Sequence, residues 1–136
     1  MFCTTSRNHF SLLGLLLLGA FLITTGSAWA AGGTVNGDNI PARGEVTMVD
    51  LGADTCLPCR VMAPIIADLK KVYQGKATIV FIDVNRENLK AKKFNALVIP
   101  TQIFFDRNNK EVYRHGGVMD KTAIIKQLDT MLAQKG

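Results

Sequence analysis

The residues best equipped for chemistry in this chain are two cysteines, Cys56 and Cys59, separated only by Leu57 and Pro58. Two sulfurs at that spacing can hold a metal, staple the chain or exchange electrons. A structural zinc site needs four ligands, usually two such pairs or a pair plus histidines. Beyond residue 30 the sequence offers this one pair and one histidine, His115, so a zinc site within a monomer is poorly supplied. Haem attachment needs histidine directly after the second cysteine, and Arg60 stands there. As a staple the pair closes a very short loop, which removes little unfolded-chain entropy compared with a long one. As a reversible switch the spacing works: the disulfide closes with small backbone movement and reopens without unfolding the domain.

The elements around the pair decide what it can do. "VTMVDL", residues 46–51, has the β-branched content and length of a buried strand. From Cys59 to about Tyr73, Met62, Ile65, Ile66, Leu69 and Tyr73 follow the spacing of one apolar helix face. Pro64 lies inside that helix, where it removes one backbone hydrogen bond and bends the axis. "ATIVFIDV", 77–84, reads as a strand covered on both faces. Residues 86–95 read as a short polar helix resting on Leu89 and Phe94. "TQIFFD", 101–106, and "KEVYRH", 110–115, read as a hairpin closed by "RNN". Asp120 can cap a last helix, from Lys121 to about Gln134, with Ile124, Ile125, Leu128, Met131 and Leu132 on its apolar face. The order β-α-β-α-β-β-α predicts an α/β domain. Its first strands form a parallel, right-handed crossover, its last two strands run antiparallel, and helices cover both faces of one mixed sheet.

Cys56 thus falls after a strand, at the start of a helix. Unpaired N–H groups and the positive end of the helix dipole favour a thiolate there. Cys59 lies one turn further in and is expected to be more buried. That asymmetry assigns attack on a foreign disulfide to Cys56, and attack on the resulting mixed disulfide to Cys59. A C-x-x-C beside a βαβ pattern is a known signature of a redox motif.

Two segments resemble the thioredoxin family. "VDLGADTCLPCRVMAPI" resembles its active-site segment, with Asp50 on the preceding strand, the C-x-P-C pair, Arg60 and Pro64. "VIPTQIFF" resembles its second signature, in which Ile-Pro-Thr carries a cis proline facing the disulfide. The resemblance runs from about Val46 to Leu132. It implies a thioredoxin-like fold and a redox-active Cys56–Cys59 disulfide, with Cys56 as nucleophile and Cys59 as resolving thiol. It further implies that Asp50, buried below the pair, exchanges a proton with Cys59. Pro100 would be cis and would leave the backbone of Ile99 free to pair with an extended substrate. Thr55, Leu57, Pro58 and Gly117 would complete the substrate rim. No cofactor or metal is implied.

The chain also departs from the family pattern. Gly52 and Thr55 stand where tryptophans are usual, and Phe81 stands where a lysine often accompanies the buried aspartate. Without that cation Asp50 is expected to hold its proton more tightly. Only 19 residues, 31–49, lie between the apolar N-terminal segment with its small-residue end and Asp50, too few for the usual first strand and helix, so the fold is expected to be trimmed at the N-terminus. Leu57-Pro58 holds no histidine of the kind that strong oxidants of this superfamily use, and Pro58 with Ile99 matches reducing thioredoxins. The favoured function is therefore an enzyme, a reductase of disulfides in other proteins. The alternatives are a thiol oxidase or disulfide isomerase, and a redox-inert binding module.

Outside the redox domain, "FSLLGLLLLGAFLI" (10–23), with Arg7 before it and "GSAWAA" after it, has the three parts of a secretory signal peptide. Cleavage is expected after Ala30; an uncut segment would anchor the chain to a membrane. Residues 31–45, rich in glycine, read as a flexible lead-in, and 46–136 as the domain. Cleavage removes Cys3, His9, Trp29 and one basic residue, which lowers the formal charge from +5 to +4. The remaining positive charge is scattered, and no aromatic-basic interleaving points to nucleic acid. Export places the protein in the periplasm or an equivalent oxidising compartment. The expected partners are exported client proteins with disulfides, apocytochromes awaiting haem among them. A membrane thiol transporter of the CcdA or DsbD kind would supply electrons. The protein itself is expected to be a monomer.

Overall fold

The computed structural model describes residues 39–134. The expected signal peptide, 1–30, and residues 31–38 of the lead-in lie outside the described residues. The elements follow the expected order: β1 (Thr47–Gly52), α1 (Leu57–Val72), β2 (Thr78–Asp83), α2 (Asn88–Lys92), β3 (Thr101–Phe105), β4 (Glu111–Gly116) and α3 (Lys121–Ala133). They build one mixed sheet in the order β2-β1-β3-β4. β1 pairs parallel with β2 and antiparallel with β3, and β3 pairs antiparallel with β4. No strand precedes β1 among the described residues. Residues 40–45 instead lie against the domain through Ala42 N–H to Thr47 Oγ1 (3.1 Å) and Gly44 N–H to the Arg107 carbonyl (3.1 Å).

β1 is central, and all six of its residues are buried. Alternation along it sends Val46, Met48, Asp50 and Gly52 to one face and Val49 and Leu51 to the other. The first face packs Met48 and Phe104 against Met62, Ile66 and Leu69 of α1 and Ile124, Leu128 and Met131 of α3. The second packs Val49, Leu51, Ile82 and Ile103 against Phe94, with Ala91 of α2 beside them. Phe94 meets Phe105 edge-on at 6.0 Å. Helices thus cover both faces. Each fully buried large apolar side chain contributes about 1.5–3 kcal/mol, so the α1–sheet contact is a rigid base for the cysteines. Two polar links tie α1 to α3. Tyr73 Oη donates to Asp129 Oδ1 (2.7 Å), and Lys121 pairs with Asp68.

Four local expectations need correction. α1 begins at Leu57 rather than Cys59, because Pro58 in the first turn needs no N–H partner. The second helix shrinks to five residues, and its Leu89 is 79% exposed rather than seated on the core. β2, an edge strand, leaves Val80 and Phe81 only half-buried. Asp120 does occupy the N-cap of α3, but only its carbonyl bonds the helix, accepting from Ile124 N–H at 3.0 Å; its side chain makes no capping bond.

Candidate active site

Cys56 is the N-cap residue of α1, in extended conformation at φ −90°, ψ 115°. It forms a disulfide with Cys59. The Cys59 N–H, one of the unpaired donors of the first turn, points at Cys56 Sγ from 3.2 Å. No acidic side chain occupies that turn, so the sulfur itself meets the positive end of the helix. The two sulfurs differ in access: Cys56 is partly exposed and Cys59 only 5% exposed. The geometry therefore holds one sulfur at the surface and its partner beneath.

The β3 side of the site comes from the loop ahead of that strand. The Ile99–Pro100 peptide is cis. The Ile99 carbonyl lies 4.0 Å from Cys56 Sγ, although 43 residues separate them. Thr101 Oγ1 fixes this loop by donating to the Val98 carbonyl (2.6 Å). Gly117 donates its N–H to the Pro100 carbonyl at 2.7 Å. Its φ of +100° is one that L side chains rarely adopt. Gly117 therefore sits beside Pro100. Around the sulfur, Thr55, Leu57 and Pro58 are exposed and Ile99 is half-buried. Leu57 is 71% exposed, an unusual position for a leucine.

Asp50 lies on β1, two residues before Gly52, with both side-chain positions on the face that carries α1. A Cβ built at Gly52 would stand 3.3 Å from both Cβ and Sγ of Cys59. Asp50 is thus one strand repeat, about 7 Å along β1, from the point beneath Cys59. It is 1% exposed. Burial pushes its carboxyl up to about 6, against the opposing pull of a hydrogen bond from Gln102 and the charge of Lys70. Gln102 Nε2 donates to Asp50 Oδ1 at 2.8 Å.

Phe81 is the direct register partner of Asp50 on β2. Its ring Cε2 comes within 2.9 Å of the place a Cβ at position 52 would take. The two departures from the family pattern are therefore one packing solution, in which the ring of Phe81 uses space that only glycine at 52 leaves open. Beside it, Ala53, Cys59, Arg60, Ala63, Lys70 and Phe81 line a cleft of about 410 Å³ that reaches Cys59.

Sequence reasoning missed Gln102 and the exposed apolar residues Val61, Val98 and Val118. The first was visible only as one polar residue in an apolar strand. The others became notable once the fold left them at the surface. Among the described residues there is no cluster of three or more potential metal ligands, and no helix is long and apolar enough to cross a membrane.

A surface sulfur at a helix start, a covered partner sulfur and a neighbouring cis-proline loop define a dithiol–disulfide exchange site. The comparisons with known proteins agree. The family model for thioredoxin matches residues 37–130. Thioredoxin of Staphylococcus aureus is 34% identical over 87 residues, covering 64% of this chain and 83% of that protein. Thioredoxin of Staphylococcus haemolyticus is 36% identical over the same length, with the same coverage. The crystal structure of Fasciola hepatica thioredoxin aligns with a TM-score of 0.58 at 28% identity, over 65% of this chain and 83% of that one. The chain belongs to the thioredoxin family and is a thiol–disulfide oxidoreductase.

Proposed function

We propose that this oxidoreductase works outside the cytoplasm as a reductase of disulfides in other exported proteins. The placement of Cys56 carries this reading: a partly exposed sulfur receives the Cys59 N–H at 3.2 Å and lies 4.0 Å from the Ile99 carbonyl, within an apolar, exposed rim. An extended client segment fits beside Ile99 by strand addition, which brings its disulfide to Cys56.

In the reduced protein, the Cys56 thiolate attacks one sulfur of the client disulfide. A Cys56–client bond forms, and the first client sulfur leaves as a thiolate that takes up a proton. Asp50 then accepts the proton of the Cys59 thiol. The Cys59 thiolate attacks Cys56 Sγ, the client's second sulfur leaves, and the Cys56–Cys59 disulfide remains. Two electrons have moved from the pair to the client. A carboxyl with pKa about 6 suits this exchange, because its affinity for a proton lies near neutral pH.

The direction of exchange rests on Leu57-Pro58, which offers no histidine to stabilise the Cys56 thiolate. Export rests on the signal-peptide pattern of residues 1–30, and a membrane thiol transporter is the natural electron source there. Redox titration against glutathione tests the direction. A midpoint near about −270 mV supports a reductase, and one near about −120 mV an oxidase. Mass measurement of the secreted chain tests export, with Ala31 expected as the first residue.

A further inference from the structure

Among the described residues, Gln102 is the one polar side chain bonded to Asp50, and half of its amide is unused. Nε2 donates to Asp50 Oδ1, while Oε1 is fully buried with no hydrogen-bond partner. An orphaned buried acceptor is destabilising, so leucine would be the better residue if filling space were the only task. The three positions that follow Gln102 on this strand, Ile103, Phe104 and Phe105, are apolar and buried.

The chemistry of the two groups gives the orphan a use. A carboxylate is only an acceptor, and the amide N–H matches it. A carboxylic acid keeps one acceptor oxygen and gains an O–H; where the proton sits on Oδ1, the oxygen that faces Gln102, an N–H is a poor partner and an amide oxygen is the match. The amide is planar, and its oxygen and nitrogen occupy nearly equivalent volumes. Half a turn about the Cγ–Cδ bond, a broad two-fold torsion, exchanges them within the same space. We propose that Gln102 is a positioning residue that directs the Asp50 proton to Oδ1 and bonds that oxygen in both protonation states, through Nε2 when Asp50 is ionised and through Oε1 when Oδ1 carries the proton. The rotation turns the Nε2 donors away from Asp50 in place of Oε1, so it occurs only where the bond to Asp50 outweighs that difference. The carboxyl thus stays in place while its proton comes and goes, as the release of a client through Cys59 requires. This rests on the proton role of Asp50 given above.

Other groups around Asp50 do not replace this partner. α1 contributes Cys59 and the exposed Lys70, which acts only through its charge. Phe81 of β2 is uncharged, and α3 turns Ile124 and Leu128 to the sheet. On β4, His115 is the register partner of Gln102, and its Nε2 lies 3.3 Å from the Val118 carbonyl.

The experiment is a pH titration by NMR of the oxidised full-length protein. It follows the Asp50 carboxyl carbon, the Gln102 side-chain N–H signals and the proximity of those protons to Asp50, and is repeated in His115→Gln to remove the nearby imidazole. The expected result is one shared midpoint, with the Gln102 N–H protons near Asp50 above it and turned away below it. A Gln102 amide whose orientation is the same across the titration overturns the proposal. A kinetic arm uses Gln102→Met, which keeps the volume and removes both polar atoms. The step that releases client from Cys56 should slow about tenfold, while the first attack by Cys56 keeps its rate. Equal slowing of both steps, or of neither, also overturns it. Full turnover in Asp50→Asn would instead refute the proton role of Asp50, and would leave the amide rotation to be judged by the NMR result.

Discussion

Asp50 and Gln102 face each other across β1 and β3, and the amide of Gln102 donates to Asp50 Oδ1 at 2.8 Å. The carboxyl therefore has a neutral partner on β3, and on β2 it has the ring of Phe81. Burial outweighs both that bond and the charge of Lys70, and it holds the carboxyl at about 6.

Stability should depend on pH through this residue. The folded pKa of about 6 lies above the ordinary 3.8, so the folded chain binds this proton more tightly than the unfolded chain. Its contribution to folding is full below about pH 4 and is lost as pH rises through about 6. At about 1.4 kcal/mol per unit the loss is on the order of 3 kcal/mol. Asp50→Asn has no such titration, so its stability relative to the parent should rise by that order between pH 4 and pH 7 in denaturant unfolding of the oxidised form. A difference that stays flat with pH would show that Asp50 is not perturbed.

Replacing Phe81 by lysine should reverse the shift. Phe81 is the register partner of Asp50 and lines the cleft, so a lysine there can lie along the same wall and turn its ammonium group toward the carboxyl. A cation within a few ångströms favours the carboxylate and lowers such pKa values by about 1–3 units. Titration of the Asp50 carboxyl carbon in Phe81→Lys checks this, and an unchanged midpoint would remove the ring's neutrality from the explanation.

Gly52 and Phe81 should behave as a coupled pair. In Gly52→Ala the new methyl meets the Phe81 ring at 2.9 Å and Cys59 at 3.3 Å. Overpacking of this kind costs about 1–3 kcal/mol. In a Phe81→Ala background the ring contact is gone, so the same substitution should cost less, with a coupling of about 0.5–3 kcal/mol. Thermal or denaturant unfolding of the four chains measures it. Strict additivity would mean that the ring moves aside freely.

Much of this arrangement was readable from the sequence, because strong local signals agreed. Length and an apolar, β-branched content marked β1 and β2, the segment after Pro100 marked β3, and the apolar spacing from Met62 to Leu69 marked α1. Two separated motifs placed Cys56 beside Pro100. What was not readable depends on tertiary contacts. Gln102 looks like one polar residue in "TQIFF", and its partner lies 52 positions away. Leu89 looks like a core residue until α2 ends after Lys92 and leaves it in solvent. Phe81 was legible as the substitute for a lysine, but its reliance on Gly52 required the backbone positions of both strands. The side chain of Asp120 occupies the right place for a cap yet makes no such bond, since sequence position does not set a rotamer.

Trapping an exchange intermediate tests the central claim most directly. Cys59→Ser, incubated with oxidised insulin and analysed by intact mass and peptide mapping, should form a stable mixed disulfide joined through Cys56. Cys56→Ser under the same conditions should form little or none and should lack insulin-reducing turnover. An adduct through Cys59 in place of Cys56, or equal turnover in Cys56→Ser and the parent, would contradict the account.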